Sequence, residues 1–144
     1  MNLKIPATSQ NESFARSTVA AFCASANPTV DQLSDIKTAV SEAVTNCVVH
    51  GYVGTDNGVI EINASLKGRV IFIEISDNGQ GIPDITRARM PFFTTRASDE
   101  RSGMGFTVME SFMDKLEVKA RDGGGTVVIM EKDFDIGDNT KKAS

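Results

Sequence analysis

The chain has no cationic excess, no long apolar run and very little thiol or imidazole. Its 144 residues carry 15 Lys and Arg against 19 Asp and Glu, a formal charge of −4. No basic field therefore marks a groove for DNA or RNA or a face for an anionic membrane, and neither partner is expected. No apolar stretch approaches the roughly 20 residues of a membrane-spanning helix. Met1-Asn2-Leu3-Lys4-Ile5-Pro6 lacks the apolar core of a signal peptide. The expected location is the cytoplasm. With two cysteines, Cys23 and Cys47, and one histidine, His50, a zinc site lacks ligands. Both cysteines fall among apolar neighbours and read as free core thiols. His50 has no hydrolytic-triad context and reads as a helix cap or a structural hydrogen-bond partner.

Familiar nucleotide signatures are missing too. The chain has no Gly-x-x-x-x-Gly-Lys-Ser/Thr loop, and neither of its glycine clusters supplies the third glycine of a dinucleotide fingerprint. The motifs of eukaryotic-type protein kinases are likewise absent.

What is present is an ordinary soluble composition, with 40% hydrophobic and 24% charged residues. The length suits one core without metals or disulfides. Residues 1–133 are expected to form a single domain, followed by a polar, frayed tail over 134–144. Leu3-Lys4-Ile5 reads as a short strand stopped by Pro6. Ser9 with Glu12 matches a capping box for a helix to about Ala26, turning Phe14, Val19, Phe22 and Cys23 inward. Thr29 with Gln32 offers a second capping box. The helix that follows, from about Val30 to His50, has its apolar stripe at Leu33, Ile36, Val40, Ala43, Val44 and Cys47, with Gly51 as terminator. At about 100° per residue, Asp35, Glu42 and Asn46 fall on nearly the opposite face.

Residues 59–66 and 70–76 read as strands joined by a tight turn at Lys67-Gly68. Residues 82–102 show no clean period, and an irregular segment beyond about 15 residues in a compact domain is usually functional or disordered. Four of the chain's seven arginines lie there: Arg87, Arg89, Arg96 and Arg101. Helical spacing returns from Met104 to about Asp114, with Phe106, Met109, Phe112 and Met113 as the buried side. A last hairpin joins 116–120 to 126–130 through Asp122-Gly123-Gly124-Gly125. The fold class is α/β: a two-layer sandwich of a mixed, mostly antiparallel sheet with helices on one face.

Three fragments carry chemistry. Glu42 and Asn46, at i and i+4, project about 6 Å apart from one helix face. An amide oxygen is a hard neutral ligand suited to Mg²⁺ that phosphates and water otherwise hold. A neighbouring carboxylate can orient a nucleophile or take its proton. The same pair also fits a plain solvated helix face. Asp77 ends an apolar strand ahead of Gly79 and Gly81; it can accept from an exocyclic amine such as adenine's while the glycines admit a ligand close to the backbone. An ordinary turn would use the same residues. Gly103-Met104-Gly105 opens a helix, whose N-terminus attracts phosphate. Arg101 and Ser102 add a fixed charge and a hydroxyl, and Arg96 after Thr94-Thr95 is a further phosphate candidate. In this order the fragments point to ATP.

The Glu-x-x-x-Asn helix, the Asp-x-Gly-x-Gly turn and the segment ending in Gly-x-Gly resemble the ATP-binding fold shared by gyrase, heat-shock chaperone ATPases, mismatch-repair ATPases and histidine kinases. Residues 9–16, 41–46, 50–52, 93–95 and 100–106 narrow the resemblance to the small bacterial anti-sigma factor serine kinases, the sporulation branch above all. It runs from about Leu3 to Glu131. The resemblance implies Glu42 as the catalytic carboxylate, Asn46 as the Mg²⁺ ligand and Asp77 as the reader of the adenine amine, with Thr126 supporting it through water. It implies that Gly79 and Gly81 line the base pocket and that Arg101, Ser102, Gly103 and Gly105 hold phosphates as a lid closes. Arg101 is counted as catalytic with Glu42; Thr94, Thr95, Arg96 and Met104 complete the nucleotide-binding set.

The implied reaction moves the γ-phosphate of ATP to a serine of an anti-anti-sigma factor. The implied binding partner is an RNA polymerase sigma factor of the sigma F type, silenced by a homodimer. Glu12 and Arg16, on one face of the first helix, are candidate sigma contacts; an i,i+4 salt bridge worth about 0.3–0.5 kcal/mol would explain them equally. Two other readings stay open: a sequestering module that binds nucleotide without phosphotransfer, and a histidine-kinase catalytic domain without its phosphoacceptor helices.

Overall fold

The computed structural model describes residues 1–51, 58–79, 105–121 and 124–136. Five strands form one sheet: β1 (Asn2–Pro6), β2 (Val59–Lys67), β3 (Val70–Asp77), β4 (Lys115–Ala120) and β5 (Thr126–Asp133). Their order is β1-β2-β3-β5-β4, and every pairing among them is antiparallel. Among the described residues, three α-helices accompany the sheet: α1 (Asn11–Cys23), α2 (Val30–Asn46) and α3 (Gly105–Phe112).

Alternation along the strands builds the core. Ile60, Ile62 and Ala64 of β2, Ile71, Ile73 and Ile75 of β3, and Val128 and Met130 of β5 are all buried. The register sets Ile62 opposite Ile75 and Ile73 opposite Met130, so these side chains share one face. Against them lies the α2 stripe of Ile36, Ala39, Val40, Ala43 and Val44, each fully buried. Asp77 and Lys132 continue the same helix-facing rows at the two ends of the sheet, and both are buried.

Local signals explain most boundaries. Thr29 and Gln32 form the expected capping box, the Gln32 amide donating to Thr29 Oγ1 at 3.1 Å and the Thr29 amide to Gln32 Oε1 at 2.8 Å. The β2–β3 turn is Gly68-Arg69, one residue beyond the expected Lys67-Gly68, with Gly68 at φ +62°. A positive φ at the first turn position alone fits the II′ hairpin turn.

Three expectations need correction. Phe14 is 53% exposed, because the buried stripe of α1 runs through Ala15, Val19 and Cys23, one residue out of phase with it. Ser9 does not cap α1: Gln10 holds that position without a side-chain hydrogen bond, and the Glu12 carboxylate is engaged elsewhere. The folded unit also runs past Asp133. Phe134 is fully buried, its amide donates to the Arg69 carbonyl, and Gln32 Nε2 donates to its carbonyl at 2.8 Å. The rest of the expected tail, 137–144, lies outside the described residues, as does the segment 82–102.

Candidate nucleotide site

The cap at Thr29 sets the phase of α2. Its apolar stripe meets the sheet, and Glu42 and Asn46, in the last two turns of the helix, emerge half-buried at its flank. There α3 lies across them. A Cβ built on Gly105, the first residue of α3, would stand 3.2 Å from Asn46 Nδ2, 3.3 Å from Asn46 Oδ1 and 3.4 Å from Glu42 Oε2. The carboxylate, the amide and the N-terminus of α3 therefore converge, and glycine keeps the contact from crowding. After Asn46 the chain widens into a π turn, Cys47–Gly51. Such turns recur at functional sites because they shift the helix phase.

Asp77, the last residue of β3, is only 3% exposed. Gly79 donates its backbone N–H to Asp77 Oδ1 at 3.0 Å. Burial pushes the carboxyl above its ordinary value of 3.8, while hydrogen bonds from Gly79, the Cys47 thiol and the Thr126 backbone, with the charge of Arg121, pull the other way. Burial, the Asp77 charge and the bond to Asp77 hold the Cys47 thiol protonated, its pKa well above 9.0. The carboxylate is thus fixed from several sides. Buried and hydrogen-bonded in this way, it is suited to one more donor such as an aromatic amine.

The β4–β5 turn closes on the same place. Gly125, at φ +101°, has its Cα so close to Asp77 that an added Cβ would fall 2.0 Å from the Asp77 carbonyl oxygen. Gly124, at φ +110°, faces the Gly79 carbonyl. Neither position admits a side chain without strain.

Of the expected site residues, Glu42, Asn46 and Gly105 are brought together, and Asp77, Gly79 and Thr126 form a second group. Thr126 is buried, and its backbone reaches Asp77 directly. Gly81, Thr94, Thr95, Arg96, Arg101, Ser102, Gly103 and Met104 lie outside the described residues, as does the His50 side chain. Glu12 and Arg16 pair at 3.2 Å, and Glu12 Oε2 also accepts from Thr45 Oγ1 of α2 at 3.0 Å.

Two contributors escaped the sequence reading. Cys47 read as a core thiol, and Gly124-Gly125 as a turn and nothing more. The available signal was adjacency: Cys47 follows Asn46 directly, and three consecutive glycines exceed what a hairpin turn needs.

The donor set fits a magnesium nucleotide. Among the described residues no group of three or more His, Cys, Asp or Glu could hold a metal ion. A cation at Asn46 would complete its shell from phosphate and water, as Mg²⁺ does beside nucleotides.

Known proteins match this chain over most of its length. The family model of the histidine kinase-like ATPase domain matches residues 5–132. The anti-sigma F factor of Thermoanaerobacter sp. (strain X514) is 56% identical over 132 residues, covering 92% of each chain. That of Geobacillus stearothermophilus is 51% identical over 134 residues, covering 93% of this chain and 92% of its own. Among solved structures, the RsbU and RsbW domains of a Mycobacterium tuberculosis protein match with TM-score 0.63 at 18% identity, over 92% of this chain and 31% of that one. The histidine kinase domain of a blue-light-activated kinase from Erythrobacter litoralis matches with TM-score 0.57 at 23% identity, over 79% of this chain and 48% of that one. At such identities the two structures speak for the fold alone.

Proposed function

We propose that this chain, which belongs to the histidine kinase-like ATPase family and within it to the anti-sigma F factors, is a protein serine kinase as well as a sigma-factor inhibitor. In this reading it binds Mg-ATP, moves the γ-phosphate to a serine of an anti-anti-sigma factor, and as a cytoplasmic homodimer silences a sporulation sigma factor of the F type. The observation that carries the kinase half is the convergence of Glu42, Asn46 and the N-terminus of α3 at Gly105. Phosphoryl transfer asks a protein mainly to position the reactants and to offset charge. That convergence offers a metal-ligating amide, a carboxylate and a helix N-terminus in one place.

The roles divide as follows. Asp77 accepts a hydrogen bond from the adenine amine, with Gly79 and Gly81 leaving room for the base and Thr126 supporting the carboxylate. Asn46 holds Mg²⁺, which offsets phosphate charge when bound. Glu42 orients the serine hydroxyl and takes its proton as the bond to phosphorus forms and ADP leaves. Thr94, Thr95, Arg96, Arg101, Ser102, Gly103, Met104 and Gly105 enclose the phosphates, and Arg101 offsets charge that develops during transfer. On α1, Glu12 and Arg16 face the sigma factor.

Names of relatives support the sigma-factor half. The test is to incubate the protein with γ-labelled ATP, Mg²⁺ and an anti-anti-sigma protein and to assay for phosphoserine. Label on serine is expected. ATP binding without transfer would leave only a sequestering module.

A further inference from the structure

We propose that Lys132 is a positioning residue for phosphoryl transfer, because it holds the far end of α3, the helix whose near end rests on Glu42 and Asn46. This rests on the kinase reading of that pair.

Lys132 is the one buried cation among the described residues, 8% exposed on the helix-facing side of β5. Its row carries Thr126, Val128 and Met130, all buried, and its nearest neighbours in the row are the two apolar ones, so an apolar side chain would suit the position. A buried ammonium persists only when its charge is matched. Here Nζ donates to the Phe112 carbonyl at 2.6 Å and stands 3.6 Å from Asp35 Oδ2 of α2. Phe112 is the last residue of α3. Lys132 therefore satisfies an orphan carbonyl, favourably placed at the negative end of the helix, and ties that end to α2.

Helix α3 has eight residues, far too short to be stable alone. Its position comes from its contacts. Met109 is fully buried, Gly105 lies where a Cβ would stand 3.2–3.4 Å from Asn46 and Glu42, and the C-terminal carbonyl is held by Lys132. Both ends are thus referenced to α2, through Asp35 at one and Glu42 with Asn46 at the other. Releasing the C-terminal anchor lets α3 shift on Met109, and the shift appears at Gly105. Small misplacements of reacting groups cost rate out of proportion to stability.

The test compares Lys132→Met, which keeps length and loses the donor, with Lys132→Arg, which keeps a cation and a donor. Amide hydrogen exchange of residues 105–113 is read alongside transfer rate and ATP affinity. For Lys132→Met, exchange in α3 should rise about tenfold or more while β3 and β5 stay protected. Transfer should fall about tenfold with ATP affinity held within about threefold, a change in kcat more than in KM. Lys132→Arg should restore most of both. Unchanged α3 exchange in Lys132→Met overturns the inference. Loss of protection across the whole sheet also overturns it, by showing a plain core residue, and so does an Arg variant that behaves like Met. Loosened α3 in Lys132→Met together with no transfer by the wild-type protein would instead sink the kinase reading and leave the anchor standing.

Discussion

Gly105 and Asn46 meet so closely that a methyl group on the glycine would stand 3.2 Å from the asparagine amide. Replacing Gly105 by Ala should therefore push the amide and the Glu42 carboxylate by a few tenths of an ångström. Alanine favours a helix over glycine by up to about 1 kcal/mol, so folding stability should hold. Transfer should fall about tenfold. Thermal melts and a transfer assay on the same sample check the pair of outcomes; equal loss of stability and activity would contradict it.

At the other wall of the site, Gly125 leaves no space at all. Gly125→Ala must resolve a 2.0 Å contact with the Asp77 carbonyl while adopting φ +101°. The added strain and overpacking should lower stability by about 2–4 kcal/mol. Urea midpoints measured without nucleotide report it.

Asp77 makes two linked predictions in one variant. Asp77→Asn removes an acceptor that suits the adenine amine and offers a donor to the guanine carbonyl, so preference for ATP over GTP should shrink about tenfold or more. An unchanged preference removes the adenine assignment. The variant should also change the pH dependence of folding. Burial raises the folded-state carboxyl above 3.8, so its contribution to stability is full below that value and is lost as pH rises through the raised one. Melting temperatures without nucleotide should therefore move in favour of the Asp77→Asn variant relative to wild type as pH rises above 3.8 and through the raised value. Parallel profiles would rule out the buried titration.

The sheet and α2 could be read in the sequence because their signals are local. Alternating isoleucines, a capping box at Thr29 and a glycine turn need no partner elsewhere in the chain. The groups of the candidate site could be picked out for a related reason, since Glu42 and Asn46 share a helix face and Asp77 ends a strand. The misses share a cause as well. Ser9 loses its capping partner because Glu12 bonds Thr45, 33 residues away. Phe134 joins the core because Gln32, 102 residues away, holds its carbonyl. Lys132 is buried only because Phe112 and Asp35 meet it. Phe14 failed by phase, since a one-residue offset in α1 turns a side chain by about 100°.

In the proposed function, Glu42 separates a kinase from a clamp. The most direct measurement places wild type and Glu42→Ala side by side, titrates Mg-ATP onto each, and follows label from the γ-phosphate to serine in the same samples. The expected result is ATP affinity within about threefold of wild type and transfer reduced at least about a hundredfold, as for loss of a general base. Transfer that persists in Glu42→Ala, or affinity that falls in step with it, would contradict the catalytic role of Glu42.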